Sequence, residues 1–517
     1  MLSNYRLGID AGGTFTDFVL ADKSSNVKIY KTPSTPDDPT EAIKNGLALI
    51  SDDLDVSPED IISQSDLCIN GTTVGLNALI QHKGSLVGLI CTKGHEDSIE
   101  IRLGHKEDGY RYDPDYPPAV MLAPRYLRRG IGERVISNGT IKTPMNEHDV
   151  REACKLFIDN DIKTIAVSFI WSVLNPSHEI RAAQIIKEMM PDAIITIGSE
   201  LYPQIREYTR TSTAITNAYL SPILRNYVSA INEYFINLGG KNNVRYFQSN
   251  GGLATGKVMS ERSVYAINSG PASAPQAGLS VCNPFDYKNI ITVDMGGTSF
   301  DITLTKDGNT NLNKNIDFLR YRIGIPMIQV ETLGAGGGSI GWIDEMGLLQ
   351  VGPQSAGADP GPACYSKGGT LATVTDANLL LGYLDPMNFL GGQTHLSKEH
   401  AETVLNEQVA KPLRLSTTEA AYGVHEIVST NISEGVRLMS VKKGVDPRDF
   451  VILGFGGASG LHASKVARKL DIRKVYIPNA APVLSAYGML STDLKYDFSR
   501  SYPIGLGDID IDKVRSV

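Results

Sequence analysis

One eight-residue pattern of aspartates, glycines and hydroxyls is written twice in this chain. The stretch Asp10-Ala-Gly-Gly-Thr-Phe-Thr-Asp17 returns as Asp294-Met-Gly-Gly-Thr-Ser-Phe-Asp301. Paired glycines accept backbone angles that other residues resist, and they leave room for an anion to reach main-chain N–H groups. Gly12, Gly13, Gly296 and Gly297 are therefore read as phosphate-binding. Thr14, Thr16, Thr298 and Ser299 add hydroxyl donors, and Asp17 and Asp301 add charge. Asp10 and Asp294 open the two turns; carboxylates there suit a Mg²⁺ held largely through its waters, so both are taken as metal-binding and catalytic. Two such turns facing each other would clamp a nucleotide's phosphates from both sides.

The flanking residues say what must position them. Arg6–Ile9 and Ile290–Val293 are apolar runs before the two motifs; Phe18–Ala21, and Ile302 with Leu304, follow them. Each motif is thus expected to be the turn of a β-hairpin. A Rossmann loop or P-loop would open a helix instead, because the helix N-terminus binds the phosphate, and no Gly-Lys-Ser/Thr is present. The plain alternative is a pair of ordinary tight hairpins; the repetition in the same strand context weighs against it.

Around the motifs, strands alternate with helices, which indicates an α/β architecture. A meander is expected over residues 5–30, a strand from Leu67 running into Gly71-Thr-Thr73, and a helix from Val74 to Lys83. Leu201–Leu238 and Thr417–Lys442 read as long helices, and Asn268-Ser-Gly-Pro opens a helix to about Cys282. Leu333–Ile340 is a glycine loop containing Gly336 and Gly337, both counted with the nucleotide set; Gly352–Gly361 holds too many turn formers for regular structure. The run Phe450–His462 is a strand, a glycine turn and a helix start. Its Gly454, Gly456 and Gly457 would let a flat ring approach the backbone, the place for an adenosine. The expected division is residues 1–195 with the first phosphate motif, 196–493 with the second phosphate motif and the adenosine motif, and a tail from 494 to 517.

Composition excludes other classes. A net charge of −8 with no basic run argues against a nucleic-acid partner, and no apolar stretch is long enough for a transmembrane helix. The N-terminus enters the first strand without a signal peptide, and the five scattered cysteines (68, 91, 154, 282, 364) fit reduced thiols without metal-ligand spacing, so a cytoplasmic protein is expected.

With the motifs in order, the chain resembles the actin, hexokinase and Hsp70 ATPase superfamily, and more narrowly the A subunits of the hydantoinase/oxoprolinase family. The matching stretches are Gly8–Asp17, Gly71–Leu79, Val293–Ser299, Glu331–Ile340, Val351–Tyr365, Thr375–Leu379 and Phe455-Gly-Gly-Ala. The resemblance implies duplicated ribonuclease-H-like domains forming two lobes, with ATP and Mg²⁺ in the interlobe cleft. It implies an ATP-dependent enzyme acting on cyclic amides such as hydantoins, 5-oxoproline or lactams, in a hetero-oligomer with a B-type subunit. Relatives in the same family carboxylate acetone or acetophenone. A small-metabolite kinase or an ATP switch of the same superfamily are the remaining alternatives. The chain departs from the family in having Asn70 where a His is common and Ser459-Gly460 after the adenosine Gly-Gly-Ala; it is expected to be a short form.

Other candidates stand beside blander readings. Thr72 and Thr73 are counted as catalytic, in a substrate or γ-phosphate loop; the alternative is a helix N-cap. Asp359 either reaches the site or caps its own turn. His95, Glu100, Arg102 and His105 read better as a charged surface loop than as substrate contacts, His462 as packing, and Cys364 as a buried thiol rather than a nucleophile.

Overall fold

The computed structural model describes residues 5–13, 15–24, 26–35, 38–104, 106, 110–116, 118–241, 244–389, 392 and 394–516. The chain begins with an antiparallel meander: β1 (Tyr5–Ala11), β2 (Phe15–Asp22) and β3 (Val27–Pro33). Parallel to β1 runs β4 (Ser65–Thr72), which feeds α1 (Val74–Ile80). The long α2 (Glu207–Asn237) follows later and leads to the hairpin of β5 (Val244–Phe247) and β6 (Leu253–Thr255). The strands join in the order β6-β5-β4-β1-β2-β3. Leu7, Ile9, Phe18 and Leu20 alternate into the core shared with α2 and the helix Pro39–Leu54.

The second half repeats the arrangement. The hairpin of β7 (Ile290–Met295) and β8 (Phe300–Lys306) continues into the short β9 (Asn309–Thr310), and β10 (Glu331–Leu333) also pairs with β8. After α3 (Val374–Leu380) and α4 (Thr417–Lys442) come β11 (Val451–Phe455), α5 (Ser459–Lys469) and β12 (Val475–Tyr476). Sheet order is β9-β8-β7-β11-β12, with β7 antiparallel to β8 and parallel to β11. In both halves the central five strands therefore run third, second, first, fourth, fifth, with the first three antiparallel and the last two parallel to the first. This is a duplicated ribonuclease-H-like fold.

Local chemistry fixes the ends of these elements. Ser416 and Glu419 form a capping box at the start of α4, and Thr373 and Asp376 form another at α3, each satisfying otherwise orphaned N–H groups. A later helix, α6 (Leu484–Leu490), returns from the second half to lie on β1. Its approach requires glycine: a β-carbon on Gly8 would lie 2.6 Å from the Ala486 carbonyl oxygen.

A further four-stranded parallel sheet, Ile194–Ile197, Thr164–Ser168, Val87–Thr92 and Arg128–Ile131 in spatial order, is inserted between α1 and α2. No helix among the described residues is long and apolar enough to cross a membrane.

The first sheet spans residue 195, since β5 pairs with β4. Two expectations differ from the structure. The strand Leu349–Ser355 runs into the turn-rich segment, because pairing with Ser339–Ile343 outweighs local preference. The helix after Asn268 is broken at Ser273 into Ser269–Ala272 and Ala274–Cys282.

Candidate functional site

The two repeated motifs are hairpin turns in matching register. Asp10 pairs with Asp17 across β1 and β2, and Asp294 pairs with Asp301 across β7 and β8. Each turn closes through the same contact: the Gly12 amide donates to the Phe15 carbonyl at 3.1 Å, and the Gly296 amide donates to the Ser299 carbonyl at 3.1 Å. Open space faces Gly296 and Gly297, and Gly13 has only the Asn77 amide nitrogen at 4.0 Å from a β-carbon position. These glycines leave their backbone accessible to an anion. Thr16 shares a 3.0 Å contact with Ser34, whose hydroxyl donates to the Gly12 carbonyl at 2.8 Å. Thr16 thus braces the first turn from behind. Thr14 lies outside the described residues; Thr298 and Ser299 belong to the second turn.

Two strand-to-helix corners complete the cleft, and they too are equivalent. Along the parallel register Asp10 lies beside Gly71, and Asp294 beside Phe455. The corner after β4 is Thr72-Thr73; the corner after β11 is Gly456-Gly457. Each is tied to its hairpin by one backbone bond, Thr73 amide to Ala11 carbonyl at 3.1 Å and Ala458 amide to Met295 carbonyl at 3.0 Å. Gly456 is at φ +78°, and a β-carbon there would sit 2.1 Å from Asp294 Oδ1. Gly457 has nothing within 4 Å of its β-carbon position.

The remaining glycines do different work. Gly454 lies within β11, packed toward Ile477 and Ala463 rather than the turn. The 336–338 loop supports the second turn: the Gly337 amide donates to the Gly296 carbonyl at 3.0 Å and the Gly338 amide to the Gly297 carbonyl at 2.6 Å. A β-carbon on Gly336 would lie 2.6 Å from the Gly297 carbonyl oxygen.

Thr73 does not cap α1 with its side chain; its hydroxyl donates to the Ala11 carbonyl at 3.2 Å and accepts from Asn77 Nδ2 at 3.3 Å. Thr72 is buried, and its hydroxyl accepts from the Val74 amide at 3.2 Å. Asn70 is buried beneath the corner and accepts from the Tyr227 hydroxyl at 2.7 Å. This makes Asn70 a support for the loop. Asn77, Ser34 and Tyr227 escaped the sequence reading because isolated polar residues on a helix or loop carry no motif.

The electrostatics unite the four aspartates. Burial, reinforced by Asp17, pushes Asp10 up to about 7, against the opposing charge of Lys31. Asp294 is pushed up to about 8, first by burial and then by Asp301, Asp10 and Asp17. Asp17 and Asp301 are also raised by burial; Lys31 at 2.5 Å offsets the first, and the Thr332 hydroxyl, donating at 2.5 Å, offsets the second. Carboxylates raised by each other's charge form a pocket that binding of a cation relieves. Asp10 Oδ1 is moreover buried with no hydrogen-bond partner among the described residues. A hard divalent cation fits that demand. No group of three or more His, Cys, Asp or Glu among the described residues is arranged to hold a metal.

The other candidates lie elsewhere. Glu100 and Asp97 bind the buried Arg128, and Arg102 donates to the Tyr116 hydroxyl at 2.5 Å. His105 is outside the described residues. Asp359 is exposed. His462 is buried, accepts from Asn378 Nδ2 at 3.2 Å and stacks on His425 at 4.4 Å. Cys364 is buried and its thiol is pushed up by burial and by Asp376, so it makes a poor nucleophile.

Duplicated ribonuclease-H-like sheets with paired glycine turns define the actin/hexokinase/Hsp70-like ATPase fold class. The hydantoinase/oxoprolinase N-terminal region profile matches residues 6–190, and the hydantoinase/oxoprolinase profile matches residues 210–498. The chain belongs to the hydantoinase/oxoprolinase family. It is 56% identical to caprolactamase subunit alpha of Pseudomonas jessenii, over 98% of this chain and 73% of that one. The crystal structure of the ATP-dependent caprolactamase from Pseudomonas jessenii superposes with a TM-score of 0.90, at 55% identity, over 99% of this chain and 74% of the other. The acetophenone carboxylase gamma subunit of Aromatoleum aromaticum is 35% identical over 96% of this chain and 69% of its own length.

Proposed function

We propose that this chain is the ATP-binding subunit of a cyclic-amide hydrolase of the hydantoinase, 5-oxoprolinase and lactamase type. The observation that carries the reading is the matched pair of glycine hairpins, each opened by a half-buried aspartate whose carboxyl is pushed up by its surroundings. The similarity to a caprolactamase subunit gives the substrate class. Asp10 and Asp294 would hold Mg²⁺, with water and phosphate oxygens as the remaining ligands. The amides and hydroxyls of Gly12, Gly13, Thr16, Gly296, Gly297, Thr298 and Ser299 would face or brace the phosphate chain, with Asp17 and Asp301 behind them. Gly456 and Gly457 receive the adenosine, while Gly336, Gly337 and Gly454 hold that half of the site in shape.

Bound Mg·ATP would supply a phosphoryl group to the carbonyl oxygen of the amide. An amide is a poor electrophile, and phosphorylating its oxygen creates a leaving group and an activated carbon. The protein's contribution is positioning and charge neutralisation. The corner that mirrors the adenosine turn, Thr72-Thr73, is left on the first half for the acceptor. We place the cyclic amide there, with Thr73 and Asn77 lining its approach to the first phosphate turn.

Ring opening also needs a delivered water. Relatives carry subunit names, and a B-type subunit is the partner we assign to that step. A second reading, the ATP-binding subunit of a ketone carboxylase, is favoured by the acetophenone carboxylase relative. The test is ATP turnover by the purified chain, with and without a B-type subunit, in the presence of a lactam, 5-oxoproline or a hydantoin. The chain alone should bind ATP and open little ring; together the two should do both. Bicarbonate-dependent turnover with a ketone, and none with the amides, selects the carboxylase. Full amide turnover by the isolated chain would overturn the division of labour.

A further inference from the structure

The strand that pairs with each hairpin opposite its second aspartate is β3 in the first half and β10 in the second, and here the two halves differ. Asp17 faces Lys31 of β3, whereas Asp301 faces Thr332 of β10. Lys31 Nζ lies 2.5 Å from Asp17 Oδ1 and 5.1 Å from the ring centre of Phe15, the residue that closes the first phosphate turn. Its side chain is 31% exposed, so the ammonium is held but not sealed. Its positive charge acts on Asp10 in its own half and on Asp294 in the other, which puts it within the field of the cleft rather than on an outer face.

An ammonium has three donors on a flexible four-carbon stem: one is on Asp17, a second reaches the Pro482 carbonyl at 3.5 Å, and the third can meet a further acceptor. The adenosine corner, Gly456-Gly457, belongs to the second half, beside Asp294. A nucleotide seated there points its phosphate chain toward the first turn, where Lys31 sits. We propose that Lys31 is a phosphate-binding residue of this cleft, a cation anchored by Asp17 and presented to the terminal phosphate of a nucleoside triphosphate. Thr332, uncharged at the equivalent position, gives the cleft its direction. This inference rests on the assignment of the cleft to ATP.

The test is calorimetric binding of two Mg²⁺-loaded nucleotides, a non-hydrolysable imido-bridged ATP analogue and ADP. Lys31→Met should lower the affinity for the triphosphate about tenfold or more, the size of one lost charge-assisted hydrogen bond, and change that for ADP by less than about threefold. Lys31→Arg, which keeps the charge, should retain most of the preference. A structural role through Asp17 alone would weaken both nucleotides equally, and that result overturns the proposal. So does an unchanged affinity for both. The pair Asp17→Asn and Asp17→Asn/Lys31→Met reads the same contact without stranding a buried charge: the triphosphate preference should fall about tenfold between them, and an equal preference in both refutes it. Wild-type protein that binds neither nucleotide would remove the ATP assignment itself, whereas normal wild-type binding with an indifferent Lys31→Met removes only the role of Lys31.

Discussion

The two halves of the cleft share a backbone and differ in side chains. Their hairpins have the same register, the same closing hydrogen bond and the same half-buried leading aspartate. Each strand-to-helix corner is tied to its hairpin by a backbone bond to the carbonyl that follows the leading aspartate. Yet one corner is Thr72-Thr73 and the other Gly456-Gly457, and one hairpin faces a lysine where the other faces a threonine. In the proposed site, the duplicated backbone sets where a phosphate chain and a metal would sit. Divergence at the corners would then give one end to a flat adenosine and the other to an acceptor.

The largest expected effect falls where the halves agree. Asp10→Asn and Asp294→Asn each remove one charge at nearly constant volume. Each should lower ATP turnover about 10²–10³-fold with the fold retained, comparable to the loss of a principal electrostatic contact. Steady-state ATP hydrolysis in the presence of a turned-over amide measures this. If Asp10→Asn keeps near wild-type turnover while Asp294→Asn is inactive, the ion belongs to the second half alone and the symmetry of the site is only architectural.

Next come the corners, where the halves disagree. Gly456→Ala forces an alanine into φ +78° and drives its β-carbon to 2.1 Å from Asp294 Oδ1. Relief requires the corner or the aspartate to move, at a cost of ~3 kcal/mol between strain and displacement. Nucleotide affinity should fall by more than about thirtyfold. Thr73→Val removes the hydroxyl at the opposite corner and keeps its shape. Nucleotide affinity should then stay within about threefold while amide-dependent turnover falls about tenfold, since the lost hydrogen bonds amount to ~1–2 kcal/mol. Equal loss of nucleotide affinity in the two variants would contradict the assignment of the ends.

A smaller effect tests the support behind the second turn. Gly336→Ala would press a β-carbon against the Gly297 carbonyl oxygen and the Thr298 carbonyl carbon, each 2.6 Å away. Thermal unfolding should show a loss of ~1–3 kcal/mol, as for other overpacked sites, with a modest rise in the nucleotide dissociation constant. Among the described residues Ser34 and Thr16, rather than a glycine loop, brace the first turn, so a change there such as Ser34→Ala should cost only ~1 kcal/mol.

What the sequence made legible was what local chemistry dictates. Gly-Gly between two apolar runs can do little but turn, and α4 follows its Ser416 cap and apolar spacing over the whole of Thr417–Lys442. What stayed hidden was pairing over distance. Nothing near β5 states that it joins β4, and nothing near Thr332 states that it stands where Lys31 stands in the other half. The equivalence of Thr72-Thr73 with Gly456-Gly457 is likewise invisible in sequence, because the residues share no type and only the register beside Asp10 and Asp294 aligns them. Gly454 shows the converse: it lies in a glycine-rich run, yet its strand position turns it toward Ile477 and Ala463.

The remaining prediction concerns the charge the two halves hold in common. Asp10 and Asp294 are raised to about 7 and about 8, from an ordinary value near 4, by burial and by neighbouring carboxylates. The folded, metal-free protein therefore binds protons that the unfolded chain has released, and its stability must fall as pH rises from about 4 toward 8. Each fully titrating group contributes at most ~1.4 kcal/mol per pH unit to that slope. Asparagine mimics the protonated carboxyl and cannot titrate, so Asp10→Asn/Asp294→Asn should remove this part of the slope. Thermal unfolding followed from about pH 5 to about pH 8 without metal should show the wild type losing more stability than the double variant across that window. Saturating Mg·ATP should flatten the wild-type curve, because the bound cation favours the deprotonated carboxylates and its binding displaces their protons. Parallel curves for the two proteins would mean that these aspartates are already ionised in the empty cleft. The demand for a cation would then have to come from another pair of groups.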